Sequence, residues 1–347
     1  MQYARLGDTG LLVSRLAFGA MTFGEAPAGT PFAAIYKVDQ HGANDLVARA
    51  LDAGVNFFNT ADAYAEGRSE EMLGTALGAR RRDVVIATKV GNRMGPGLIR
   101  QGLSRQHVIG AAEDSLRRLG TDYLDVYLVH RLDPYTPIEE TLDALDDLVR
   151  AGKVRYVGFS NWPAWLAAKA VGLQRAHGWA PFRAAEMMYS LLGRDVEHEV
   201  VPFAEDAGVG LMAWSPLAGG FLSGKYTREN PGGSGGRLTG FDLIPFDRER
   251  GYDLVDRLRE IGAGHGASVA QVALAWLLTR PVVSSVLVGA SRPEQLADNL
   301  AAAAVRLAPE EVQGLDALTA PAAVYPGWFN ARIYDAAARD ALADAGR

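Results

Sequence analysis

The sequence predicts one α/β domain over residues 1–347: a (β/α)8 barrel preceded by a small N-terminal β-hairpin, with a C-terminal tail or loop over the active-site face. Three observations carry this prediction. About eight short apolar runs recur along the chain, each followed by a segment of helical spacing. The runs are continuously apolar rather than alternating, as suits a parallel sheet buried on both faces. Polar residues stand where the runs end, at Asn59, Lys89, His130, Ser160, Asn161 and Glu186. In such a barrel the strand ends share one face, where an active site is built.

Size and charge fit this frame. A chain of 347 residues suits one barrel, which takes roughly 250 residues plus insertions. A net charge of −6 and a pI near 5.6 disfavour a nucleic-acid partner, and no Lys/Arg block reverses this. Cysteine is absent, which removes disulfides, thiolate zinc sites and a Cys nucleophile, and permits a reducing compartment. The start, MQYARLGDTG, lacks a basic region followed by an apolar one, and no run reaches the ~18 apolar residues of a membrane span. A cytoplasmic protein with no membrane partner is expected.

Taken in order, Leu11 to Ala17 follows the turn Gly7-Asp8-Thr9-Gly10 and predicts the hairpin. Leu16 to Gly19 is the first buried strand, and Ala43 to Ala53 has helical spacing. The stretch Gly54 to Gly74 organises the chain. Val55 to Phe58 reads as a short strand, Tyr64 sits on a loop, and a helix restarts near Ser69, its predicted cap, with Glu70 and Glu71 in the first turn. Val84 to Lys89 is a strand, followed by a glycine-rich loop through Gly102 and a helix capped by Ser104. Strands are predicted at Tyr123–Val129, Val154–Phe159, Phe182–Glu186, Val209–Trp214 and Ser284–Val288. Helices are predicted at Ile138–Ala151, after Pro163, at Val196–Ala207, Tyr252–Ile261 and Ser268–Leu278, and from Pro293. Thr227 to Asp247 breaks the rhythm with Gly232, Gly233, Gly235 and Gly236, and reads as a mobile loop.

Two local patterns lead nowhere. Gly219 to Tyr226, GGFLSGKY, nearly spells a phosphate-binding loop, but Tyr226 replaces the hydroxyl residue that holds magnesium. His41, His107, His177, His198 and His265 are scattered without metal-ligand spacing.

The segments RLGDTGLLVSRLAFGAMTFG, SEEMLGTAL, SLRRLGTDYLDVYLVH, GKVRYVGFSNW, AWSPLAGGFLSGKY and GASRPEQLADNL together resemble the aldo-keto reductase superfamily, in family order and over nearly the whole length. The resemblance implies an NADPH-dependent, reversible reduction of an aldehyde or ketone on a (β/α)8 barrel. The family's catalytic set is an Asp, a Tyr, a Lys and a His. Tyr64, Lys89 and His130 match the last three, whereas the family pattern D-T-A-x-x-Y here opens on Asn59. Asp62 lies three residues too late to substitute and is expected to face elsewhere.

Carbonyl reduction needs hydride at carbon and a proton at oxygen. A tyrosine hydroxyl is a weak acid at neutral pH, and a nearby Lys⁺ stabilises the phenolate it leaves. In the resemblance His130 holds the carbonyl oxygen. Asn59 accepts a hydrogen bond from Lys89 but brings no charge, so Lys89 is expected to be unpaired. Two effects then oppose each other: an unpaired Lys89 acts more strongly on Tyr64 while protonated, yet desolvation makes it lose its proton more easily.

For the cofactor, the resemblance implies that Ser160, Asn161 and Glu186 bind the nicotinamide carboxamide and that Trp214 stacks on the ring. Ser215, Leu217, Gly219 and Lys225 would follow the pyrophosphate. Gly289, Ser291, Arg292, Gln295 and Asn299 would hold the adenosine end, with Arg292 favouring NADP over NAD through a 2′-phosphate. Phe23, Trp162 and Trp328 are expected to line the substrate pocket. The alternative is a nucleotide-binding regulatory barrel of weak turnover, like the potassium-channel β-subunits that resemble this family; Asn59 is the feature in its favour.

Overall fold

The computed structural model describes residues 1–26, 29–233, 237–240, 242, 244–333 and 335–344. An antiparallel hairpin, β1 (Tyr3–Arg5) and β2 (Leu12–Ser14), precedes the barrel. The first barrel strand is β3 (Leu16–Gly19). A short ribbon, β4 (Gly24–Glu25) against β5 (Lys37–Val38), lies beyond its end. Then come α1 (Gln40–Asp52), β6 (Phe57–Asn59), α2 (Arg68–Leu77), β7 (Val85–Val90), α3 (Arg105–Leu119), β8 (Leu124–Val129) and α4 (Ile138–Arg150). The second half runs β9 (Val154–Ser160), α5 (Ala164–His177), β10 (Phe182–Met188), α6 (Val200–Ala207) and β11 (Gly210–Trp214). It ends with α7 (Arg248–His265), α8 (Val269–Leu278), β12 (Val283–Gly289) and α9 (Pro293–Ala301). Helices α10 (Pro309–Leu318), α11 (Gly327–Asn330) and α12 (Ala336–Asp344) form the tail.

Strands β3, β6, β7, β8, β9, β10, β11 and β12 make a closed parallel barrel in chain order, sealed by β12 against β3 with Val288 opposite Phe18. The (β/α)8 fold predicted from the sequence is therefore present, hairpin included. Side chains alternate along each strand, and here the alternation separates two cores. Outward residues such as Phe18, Phe58, Ile86, Tyr127 and Phe159 pack under the helices. Inward residues, among them Phe57, Ala87, Leu128, Ala184 and Met212, fill the barrel, and Leu6 and Val13 of the hairpin join them. Both classes are close to fully buried. Truncating Phe57 to Ala would cost ~3–5 kcal/mol by the usual cavity penalty. Gly158 on β9 is required by close approach, since a Cβ there would overlap the Ala184 carbonyl oxygen and the Leu128 side chain.

Caps fix where helices begin. Ser104 accepts from His107 N–H ahead of α3, and Ser268 makes a full capping box with Gln271 ahead of α8. Ser69 is not a cap, contrary to expectation. Helix α2 starts at Arg68 behind Gly67, whose φ of 93° follows left-handed Ala65 and Glu66. That turn points Ser69 inward, where its hydroxyl donates to Ala20 O at 2.7 Å and meets Thr60 Oγ1 at 2.9 Å.

Thr227 to Asp247 contains an anchored turn rather than an open loop in its described part. Arg237–Thr239 forms one helical turn, Leu238 N–H donates to the Tyr226 hydroxyl at 3.2 Å, and Phe246 packs edge-on against Phe221. Gly235 and Gly236 lie outside the described residues. Leu318 to Ala322 lines a cavity of about 230 Å³ with Arg194, Phe246 and Leu254. No single helix among the described residues is long and apolar enough to cross a membrane.

Candidate active site

The inward register that buries Phe57, Val85, Ala87, Val126, Leu128, Ala184 and Met212 continues by steps of two to Asn59, Lys89, His130, Glu186 and Trp214. Strand geometry alone thus carries these five side chains to the C-terminal mouth of the barrel.

Lys89 is the hub. Its side chain is fully buried, and Nζ donates to Asn59 Oδ1 at 2.8 Å and to the Thr60 carbonyl at 2.8 Å. Tyr64 Oη lies 3.3 Å away and the nearer carboxylate oxygen of Glu186 3.2 Å away. Asn59 Nδ2 in turn donates to Glu186 Oε2 at 2.7 Å. The expectation of an unpaired Lys89 is therefore corrected: a carboxylate faces the ammonium, delivered by β10 instead of β6. Burial pulls the lysine pKa down, but Glu186 and then Tyr64 outweigh it and hold it above its ordinary value. Burial pushes the Tyr64 hydroxyl up while Lys89 opposes it, so Tyr64 keeps its proton and is relieved of part of the burial cost.

The His130 ring meets Tyr64 edge-to-face at 5.8 Å between centroids. Burial first, then Lys89 and Arg131, press its pKa down to about 3, so the imidazole is neutral. The Asn92 side-chain nitrogen sits 2.9 Å from Nδ1. With that amide as donor, Nδ1 accepts and the ring proton resides on Nε2. Asn92 was not anticipated from the sequence; it lies beyond the strand end in a loop with no distinguishing pattern.

Asp62 is buried and makes no ion pair with Lys89, and no side chain among the described residues donates to its carboxyl. Burial, and then Glu70, push its pKa up to about 8.

Beside this cluster, Ser160 donates to the Glu186 backbone carbonyl at 2.8 Å. Asn161, at a φ of 56°, donates to Ser160 Oγ at 2.8 Å and to the His130 carbonyl at 3.2 Å. Trp214 Nε1 donates to Asn161 Oδ1 at 3.0 Å. These contacts lock the Asn161 amide and the indole in one orientation. Ser215 and Gly219, both at positive φ, are tied by a Gly219 N–H to Ser215 Oγ bond of 3.0 Å, and Leu217 packs on the core.

A second cavity, about 520 Å³, is lined by Thr22, Lys37, Lys225, Arg237, Ser291, Arg292 and Gln295 among others, with Gly289 at its edge. Gln295 accepts from Ser291 N–H at 3.1 Å, and Asn299 donates to the Gly289 carbonyl at 3.3 Å. Four cationic side chains share this space. Burial lowers the Lys225 pKa, and repulsion from Arg237, Lys37 and Arg292 lowers it further. An excess of positive charge gathered in one polar cavity fits a multiply phosphorylated ligand. Lys37 and Arg237 were missed in the sequence, since Arg237 is hidden in the glycine-rich segment.

Two expected pocket walls are corrected. Phe23 is fully buried against Phe18, and Trp162 is 3% exposed, stacked on Phe159 and edge-on to Phe182. Both belong to the packing. Trp328 contacts Tyr325 and Phe329 within the tail.

The sequence model described as the Aldo/keto reductase family matches residues 15–320. Versiconal hemiacetal acetate reductase of Aspergillus parasiticus is 36% identical, covering 94% of this chain and 99% of its own. A probable voltage-gated potassium channel subunit beta of Oryza sativa subsp. japonica is 38% identical, covering 92% and 96% respectively. A putative aryl-alcohol dehydrogenase, C977.14c of Schizosaccharomyces pombe (strain 972 / ATCC 24843), is 33% identical over 90% and 94%.

Proposed function

Because this chain belongs to the aldo/keto reductase family, a family of oxidoreductases, we propose that it reduces an aldehyde or ketone to the alcohol with NADPH, reversibly. The observation that carries the reading is the contact of Tyr64 Oη with the buried Lys89 ammonium at 3.3 Å, beside a neutral His130. When bound, NADPH supplies the hydride that the carbonyl carbon accepts. Tyr64 gives its proton to the carbonyl oxygen, and Lys89 stabilises the phenolate left behind. His130 holds the substrate oxygen through Nε2–H and fixes its approach to Tyr64.

The residues suit the cofactor along its length. Trp214 offers an aromatic face, and Ser160 and Asn161 offer polar groups at the nicotinamide end. Lys225 and Arg237 stand for the pyrophosphate, and Arg292, with Ser291 and Gln295 beside it, for the 2′-phosphate end. The regulatory alternative drew its support from Asn59; the carboxylate of Glu186 beside Lys89 weakens that support.

The test is NADPH oxidation by the purified protein over a panel of aliphatic and aromatic aldehydes and ketones. Steady turnover is expected, lost in Tyr64→Phe while NADPH binding by fluorescence survives. Absence of turnover across the panel, or a fully active Tyr64→Phe, would overturn the assignment.

A further inference from the structure

We propose that Glu186 is a positioning residue supplying the counter-charge of Lys89, with Asn59 as the neutral bridge between them. The anion that serves the lysine has thereby moved from the strand beside it to the strand across the barrel. This rests on the carbonyl-reductase reading for its effect on rate, though not for its effect on the folded state.

The geometry is closed. In the ring of eight strands β10 stands four places from β6, so Glu186 reaches across the barrel to meet Asn59. Its Oε1 faces Lys89 Nζ at 3.2 Å, and its Oε2 accepts from Asn59 Nδ2 at 2.7 Å. Asn59 Oδ1 takes the ammonium at 2.8 Å. The amide can stand only one way round. Flipped, it would aim its NH2 at the ammonium and its oxygen at the carboxylate, losing two bonds to repulsion. Lys89 and Glu186 side chains are 0% and 4% exposed, so water cannot replace either partner.

Charge counting explains the pairing of residue types. A buried ammonium without an anion tends to shed its proton, which would remove its help to Tyr64. A carboxylate at both positions would place two anions at the present 2.7 Å separation, and one would be forced to protonate. One anion is the stable number. Asn59 with Glu186 is one arrangement that provides it, and the exchange of acid and amide in N59D/E186Q is its mirror. The groups facing Lys89 are Glu186 from β10, Tyr64 from the loop after β6, and, further off, neutral His130 and Asp62, which is protonated below about pH 8 and ionised above it in parent and variants alike.

The experiment compares the parent with E186Q, N59D and N59D/E186Q. The first readout is unfolding free energy against pH, which needs no turnover. With Glu186 present, the folded lysine pKa lies above its ordinary 10.5, so this group adds no slope below that pH. In E186Q it falls below the unfolded value, and stability rises with pH as the folded lysine stays neutral. The gap between parent and E186Q should therefore narrow from about pH 8 to 10.5. The gap between parent and N59D/E186Q should stay constant.

The second readout is kcat beside the NADPH Kd. E186Q should lose about tenfold or more in kcat, and N59D/E186Q should return to within about threefold of the parent. N59D alone should be slower than the parent. A pH-independent gap between parent and E186Q, or a double variant that tracks E186Q, overturns the proposal. So does an E186Q that loses NADPH affinity without rescue by N59D, which would assign Glu186 to the cofactor's carboxamide. If the parent reduces no carbonyl, the functional reading fails, and the stability comparison still decides this one.

Discussion

The side-chain nitrogen of Asn92 stands 2.9 Å from Nδ1 of His130, so the loop after β7 dictates which imidazole nitrogen carries the proton. A neutral histidine must offer Nε2–H to polarise a carbonyl oxygen. Asn92→Leu should lower kcat/KM for the carbonyl by about tenfold, roughly 1.4 kcal/mol, with NADPH affinity unchanged. Asn92→Asp should be worse, because a carboxylate would draw the proton to Nδ1. Steady-state kinetics of the two variants decide; parental rates in both would remove Asn92 from the mechanism.

His130 should not titrate in the physiological range. Burial, followed by Lys89 and Arg131, takes its pKa from the ordinary 6.5 to about 3. Between these values the unfolded chain binds a proton that the folded chain refuses, so stability contributed here is present above 6.5 and lost as pH falls toward 3. NMR of 15N-labelled protein should show constant His130 ring shifts from about pH 8 to 5. A midpoint near the ordinary value would mean that the ring is solvated and the neutral-donor role is wrong.

Much of this was legible because barrel strands are apolar runs with a period of two. Once Leu128 points inward, His130 must as well, and Ala87 settles Lys89 in the same way. What the sequence concealed were pairings between distant strands and roles carried by a single residue in a loop. Glu186 was readable as a strand end, yet nothing local reveals that it meets Asn59 across the barrel. Arg237 was masked by the glycines around it. Trp162 misled because an aromatic residue after a strand reads alike whether it lines a pocket or packs against Phe159 and Phe182. Ser69 misled because three successive left-handed residues ahead of α2 moved the cap back two positions, from Ser69 to Gly67.

The cationic cavity predicts separable cofactor defects. Arg292 lies at the start of α9, an exposed guanidinium that lines the cavity. If it meets the 2′-phosphate, Arg292→Ala should weaken NADPH by about tenfold or more and leave NADH nearly unchanged, the usual scale for a charged hydrogen bond. Arg237 lines the same cavity, and its charge acts on both Tyr226 and Tyr64. Arg237→Met should weaken both cofactors alike, as loss of a pyrophosphate contact would. Fluorescence titration with each nucleotide measures this, and equal losses in Arg292→Ala would reverse the assignment.

The buried Asp62 gives the sharpest stability prediction. No side chain among the described residues donates to its carboxyl, and burial followed by Glu70 lifts its pKa from 3.8 to about 8, against smaller opposing effects of the Ala63 backbone N–H, Arg118 and Lys89. The folded protein therefore keeps a proton there that the unfolded chain releases. For a carboxyl raised in this way the destabilising contribution is absent below about pH 4, grows as pH rises, and is complete above about pH 8. Asp62→Asn preserves the shape and removes the titration. The variant should match the parent at low pH and gain on it steadily, reaching on the order of 5 kcal/mol near pH 8. Urea unfolding across this range is the measurement, and parallel curves would show that Asp62 is ionised in the fold. The same variant also tests which carboxylate serves Lys89. Because Asp62 makes no ion pair with that lysine, its kcat should stay within about twofold of the parent, whereas a large loss would make Asp62, rather than Glu186, the anion on which the lysine depends.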